Sequence, residues 1–154
     1  MLQILQQWTE TNAFFIWLRE SPSVWAYPTV FFVHTIGLVF TAGVGIIIDV
    51  RLLGAASDLP VAPLARYFRF VWIAFGLTIA SGLLMLLSDL QTKLANQLFP
   101  VKMAFVIGAI VLLALTRRRI ESANTSALTR VFAALSLACW LGAIAAGRFM
   151  AYLQ

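Results

Sequence analysis

Charge is what this sequence has least of. Of its 154 residues only 11% are Asp, Glu, Lys or Arg, against ~25% in an ordinary soluble domain. With 62% apolar residues and a mean hydropathy of +0.92, a water-soluble globule is excluded and a chain dissolved in lipid is implied. Cysteine is nearly absent. Cys139 stands alone, so no intrachain disulfide can form, and it reads as a small buried side chain. Histidine is equally scarce: His34 is the only one. Zinc, di-metal and iron–carboxylate centres want three or four His, Cys or carboxylate ligands, a set that one His, one Cys and no mid-span acid do not supply. A Gly-x-Ser-x-Gly elbow is missing and no acid stands near His34 in sequence, which removes hydrolase chemistry. Phosphate loops, nucleic-acid motifs, repeats and low-complexity tracts are missing too.

What remains is long apolar runs. Four segments, roughly 25–49, 66–88, 99–116 and 130–150, reach the ~20 residues that cross ~30 Å of hydrocarbon. Pro28 falls in the first turn of span 1, Pro60 and Pro63 with Gly54 and Asp58 make the first connection, and Pro100 opens span 3, where its missing N–H costs nothing. The connections SDLQTKLANQL and RRRIESANTSAL are short and polar, which favours antiparallel neighbours. The predicted fold is all-α: an integral membrane up-down four-helix bundle over residues 21–154, preceded by an N-terminal interfacial amphipathic helix over 1–20. In that first segment Ile4, Leu5, Trp8, Phe15 and Leu18 share a helical face, and Trp8 and Trp17 suit the headgroup boundary. It has no basic n-region or cleavage site, so it reads as a retained segment.

The net charge of +5 is a topology signal and no nucleic-acid footprint. Arg51, Arg66, Arg69, Arg117, Arg118, Arg119 and Arg130 flank the connections after spans 1 and 3, whereas Arg19, Lys93, Lys102 and Arg148 lie on the opposite side. The richer side faces the cytoplasm, which puts both termini outside. Small residues recur four apart in three rows, Gly37/Thr41/Gly45, Ala74/Thr78/Gly82 and Ala134/Ala138/Gly142/Ala146. Such rows let helix backbones approach within one bundle, with a homodimer seam through span 4 as the alternative. Asp49 at the end of span 1 and Arg66 and Arg69 at the start of span 2 predict a charge clamp that fixes the register of the first hairpin.

An imidazole inside a span is the strongest functional signal. FFVHTIGL places His34 roughly 10–14 Å below the outer boundary at 1.5 Å per residue. Gly37, Thr41 and Gly45 follow on its face, a trough on which a flat macrocycle would lie with the imidazole reaching iron. The competing reading is a hydrogen bond from His34 to Thr78 or Ser81 on the next span. A haem here takes its second axial position from Met85, Met103 or His34 of a second copy, or leaves it open. Lys102 near the head of span 3 and Arg148 near the outer end of span 4 are the candidate propionate partners, with interfacial anchoring as the alternative for each.

SVWAYPTVFFVHTIGLVFTAG, DVRLLG, Arg66-Tyr-Phe-Arg69, GLLMLLSD and NQLFPVKMAF resemble a family of small bacterial four-helix membrane proteins known only as a domain of unknown function. More loosely the chain is similar to copper-resistance D-type and cytochrome b-like membrane domains. That resemblance implies a bacterial inner-membrane location, haem b on helix histidines, and a recurrent polar pair at His34 and Lys102. The single histidine departs from the bis-His pattern. Three functions follow. The leading one is a haem b electron-transfer subunit with iron on His34, exchanging electrons with a periplasmic redox protein or quinone. The second is a cofactor-free accessory or scaffolding subunit of a larger membrane complex. The third, a small-solute or copper permease, lacks the broken helices that transport sites use.

Overall fold

The computed structural model describes residues 2–55, 58, 60, 62–122, 126–150 and 152, and among them every regular element is helical. Four long helices form the body: α3 (Tyr27–Leu52), α4 (Phe68–Ser88), α6 (Leu98–Glu121) and α7 (Ala127–Met150). Each is long and apolar enough to cross a membrane. Short helices α1 (Leu2–Thr11), α2 (Ala13–Glu20) and α5 (Leu90–Ala95) and a 3-10 turn at Ala62–Tyr67 complete the chain.

The bundle's interior mixes an apolar core, with Ile48, Phe68, Val71, Leu113 and Trp140, with buried hydroxyls, and its outer faces are apolar. Thr41, Thr78, Ser81, Thr116, Thr129 and Ser136 are buried, while Phe31, Phe40, Ile47, Phe70, Ile107 and Ile144 are exposed on the outer faces. In water that surface would demand a partner; in lipid it is already solvated. Several buried hydroxyls are satisfied within their own helix: Thr41 Oγ1 donates to the Gly37 carbonyl at 2.7 Å and Thr78 Oγ1 to the Ala74 carbonyl at 2.9 Å.

The spatial order is α4–α3–α7–α6, two hairpins joined through α3 and α7. Small residues set the close approaches. A Cβ on Gly37 would overlap Thr78 Oγ1, and one on Gly142 would meet the Phe105 ring at 2.9 Å. The row on α7 differs from expectation. Ala134 and Ala138 are exposed, and the buried stripe runs instead through Thr129, Ala133, Ser136, Trp140, Ala143 and Ala146. The cause is that α7 has neighbours on two sides, α3 and α6, so its contact face is wider than one i+4 row.

The N-terminal segment is two helices rather than one. Asn12 breaks it by accepting a hydrogen bond from Phe14 N at 2.9 Å, a capping bond that starts α2 afresh. The apolar face is therefore split: Phe15 and Leu18 are buried, whereas Ile4 and Trp8 are exposed. These helices cover the C-terminal end of α4 and the start of α5, where Arg19 Nη1 donates to the Ser88 carbonyl at 3.4 Å and Gln6 Nε2 to Gln91 Oε1 at 3.1 Å. The connection between spans 2 and 3 also holds α5, which the polar sequence SDLQTKLANQL had not announced.

Candidate functional site

His34 lies in the N-terminal half of α3, turned toward α4. Its Nδ1 is 3.1 Å from the Thr78 carbonyl oxygen and 3.1 Å from Ser81 Oγ. The partners decide where the proton sits. A carbonyl only accepts, and the Ser81 hydroxyl already directs its proton to the Leu77 carbonyl at 2.7 Å. Nδ1 therefore carries the hydrogen and donates it to Thr78, which leaves the neutral ring's lone pair on Nε2. Gly82 makes this contact possible. It stands four residues beyond Thr78, and a Cβ there would come within 3.0 Å of His34 Cε1 and 3.4 Å of Nδ1.

Among the described residues no group bonds Nε2. Lys102 lies within electrostatic reach of the ring. It projects from α6 with its stem against Gly147, Cε 3.5 Å and Nζ 3.8 Å from where a Cβ would stand. The imidazole and the ammonium thus belong to opposite hairpins. At the end where α3 gives way to α4 the hairpins touch, since the 3-10 turn packs on α6 and the Arg117 guanidinium lies 5.9 Å from the Phe68 ring centre. The α4 and α6 helices make no comparable packing with one another. The two hairpins therefore meet mainly through α3 and α7.

The remaining expected site residues are placed differently. Gly37, Thr41 and Gly45 are buried and already covered: Thr78 and the Ala74 carbonyl stand over Gly37, and Trp140 and Leu113 over Gly45. This ridge is a helix–helix seam, with no room for a flat macrocycle, because residues that admit a planar group admit a neighbouring backbone equally well. Met85 and Met103 are half-buried. Arg148 is exposed, its guanidinium 5.2 Å from the Tyr152 ring centre. The Asp49 clamp is not formed. Asp49 is fully buried with no hydrogen-bond partner on either oxygen, while Arg66 and Arg69 are exposed. The reason is that α3 continues to Leu52, which carries Asp49 inside the bundle rather than to its rim.

An axial imidazole needs a fixed tautomer, a carbonyl or carboxylate holding Nδ1–H, and a free Nε2. His34 meets all three conditions, so the donor atom fits a haem iron although the glycine ridge does not fit the macrocycle. No family model, curated protein or solved structure matches the chain. Fold and surface define its class, a multi-pass helical membrane protein.

Proposed function

We propose that the chain is an electron-transfer subunit of the bacterial inner membrane that holds haem b in the outer half of the bundle. His34 Nε2 would hold the iron, and the covered ridge of Gly37, Thr41 and Gly45 would take no part. One observation carries the reading: Nδ1–H is anchored on the Thr78 carbonyl, so the ring is held with its lone pair on the other nitrogen. When bound, the haem supplies a one-electron redox couple. Thr78 fixes the imidazole plane and raises the basicity of Nε2. Lys102, on the opposite hairpin, would neutralise a propionate. Met85, Met103 or His34 of a second copy would supply a second ligand. A periplasmic redox protein or quinone is the electron partner, with both termini periplasmic.

A second reading has its own support. The sealed ridge and the Ser81 bond to Nδ1 are what a cofactor-free accessory subunit of a larger complex needs to glue α3 to α4. Reduced-minus-oxidised spectra separate the two. Protein purified after expression with haem supply is expected to show b-type bands that vanish in His34→Ala, and Lys102→Met is expected to release haem more readily. A colourless protein with its helices intact favours the accessory subunit.

A further inference from the structure

A second polar group is buried at the other end of the bundle, apart from His34. Asp49, Thr116 and Ser136 are 0% exposed and Trp140 is 1% exposed. Among the described residues Asp49 Oδ1 and Oδ2, Thr116 Oγ1, Ser136 Oγ and Trp140 Nε1 find no hydrogen-bond partner. Orphaned polar atoms are rare in a folded protein, and five in one region ask for an occupant.

The register brings them together. Gly45 on α3 faces Trp140 Nε1 of α7 at 3.0 Å and Leu113 of α6 at 3.5 Å, measured from where its Cβ would stand. One turn further inward, α3 presents Asp49, α6 presents Thr116, and α7, running the opposite way, presents Ser136. Ser136 is close enough to act on Asp49 while falling short of a well-formed hydrogen bond. Two hydroxyls and an indole N–H thus lie within one turn of the carboxyl's level in the bundle, on the helices beside it.

We infer that Asp49, framed by Thr116, Ser136 and Trp140, is an internal proton-binding site that exchanges with the inner aqueous side. The inference goes beyond the His34 site and does not rest on it. An isolated carboxylate in hydrocarbon is costly, and no ion pair relieves it. The charged groups of the surrounding elements are Arg51 on α3, Arg66 in the 3-10 turn, Arg69 on α4, Arg117, Arg118 and Arg119 on α6 and Arg130 on α7. None pairs with Asp49; Arg117 bonds Glu121 at 2.8 Å. A metal cation is a poorer occupant, because a hard ion wants about six oxygens, and one carboxylate with two hydroxyls beside an N–H donor falls short. Protonation forms one O–H bond on Asp49 and makes the group neutral. The proton comes from the inner aqueous phase and returns to it, three residues short of the end of α3 at Leu52.

Infrared difference spectroscopy of the full chain in phosphatidylcholine vesicles tests this, aided by a total of only six acidic residues. Lowering the pH is expected to raise a protonated-carboxyl C=O band that disappears reversibly on raising it, is lost in Asp49→Asn and is indifferent to added NaCl. Ser136→Ala, which keeps the acid, is expected to move the band's frequency, so the assignment survives if Asp49→Asn fails to fold. A band that never appears, does not titrate, ignores Ser136→Ala or is removed by sodium at constant pH overturns the proposal.

Discussion

At the scale of single residues, three glycines differ in what they tolerate. A Cβ on Gly37 overlaps Thr78, whereas one on Gly43 meets nothing within 4 Å. Gly37→Ala is expected to cost about 1–3 kcal/mol in a mixed-micelle unfolding titration, and Gly43→Ala to be neutral within about 0.5 kcal/mol. Gly82→Ala acts on the ring instead, through its 3.0 Å approach to His34 Cε1. It is expected to keep the helices, as circular dichroism will report, while weakening haem retention. The sequence alone offered both the imidazole and its Thr78 and Ser81 neighbours, because an ionisable group in a span is conspicuous against apolar surroundings. It did not reveal that the ridge was occupied. A row of small residues has the same signature whether it admits a cofactor or a helix, and Trp140, which covers Gly45, lies almost a hundred positions away. Asp49 was misjudged for a related reason: a charge near a helix end reads as a boundary until the helix is seen to run on to Leu52.

At the scale of elements, the four spans were legible because length and hydropathy are additive along the chain, and the ends shifted by only a few residues. Breaks that depend on one side-chain bond were not. Asn12 divides α1 from α2 through its bond to Phe14 N, so Asn12→Ala is expected to cost about 1 kcal/mol locally. Hydrogen exchange should accelerate over Ala13–Glu20 while α3 stays protected; unchanged protection would mean that the burial of Phe15 and Leu18 holds α2 without the cap. The inner end of α6 has similar local support, Arg117 bonding Glu121 at 2.8 Å one turn on, worth only ~0.3–0.5 kcal/mol where it is exposed.

For the whole molecule, the two-hairpin arrangement and the arginine distribution make one claim about orientation. In a Cys139→Ala background, Gln97→Cys is expected to react with an impermeant thiol reagent from the periplasmic side and Ser122→Cys only after the inner face is opened; both positions are exposed. The reverse pattern would invert the topology and with it the leaflet assigned to His34. A haem site needs the imidazole to offer a bare Nε2. Because the chain has one histidine, nitrogen-15 NMR of histidine-labelled protein in bilayers reports that ring alone. The account predicts hydrogen on Nδ1 and a bare Nε2 whose resonance changes when haem is supplied. Hydrogen on Nε2, with Nδ1 as the acceptor, would contradict it.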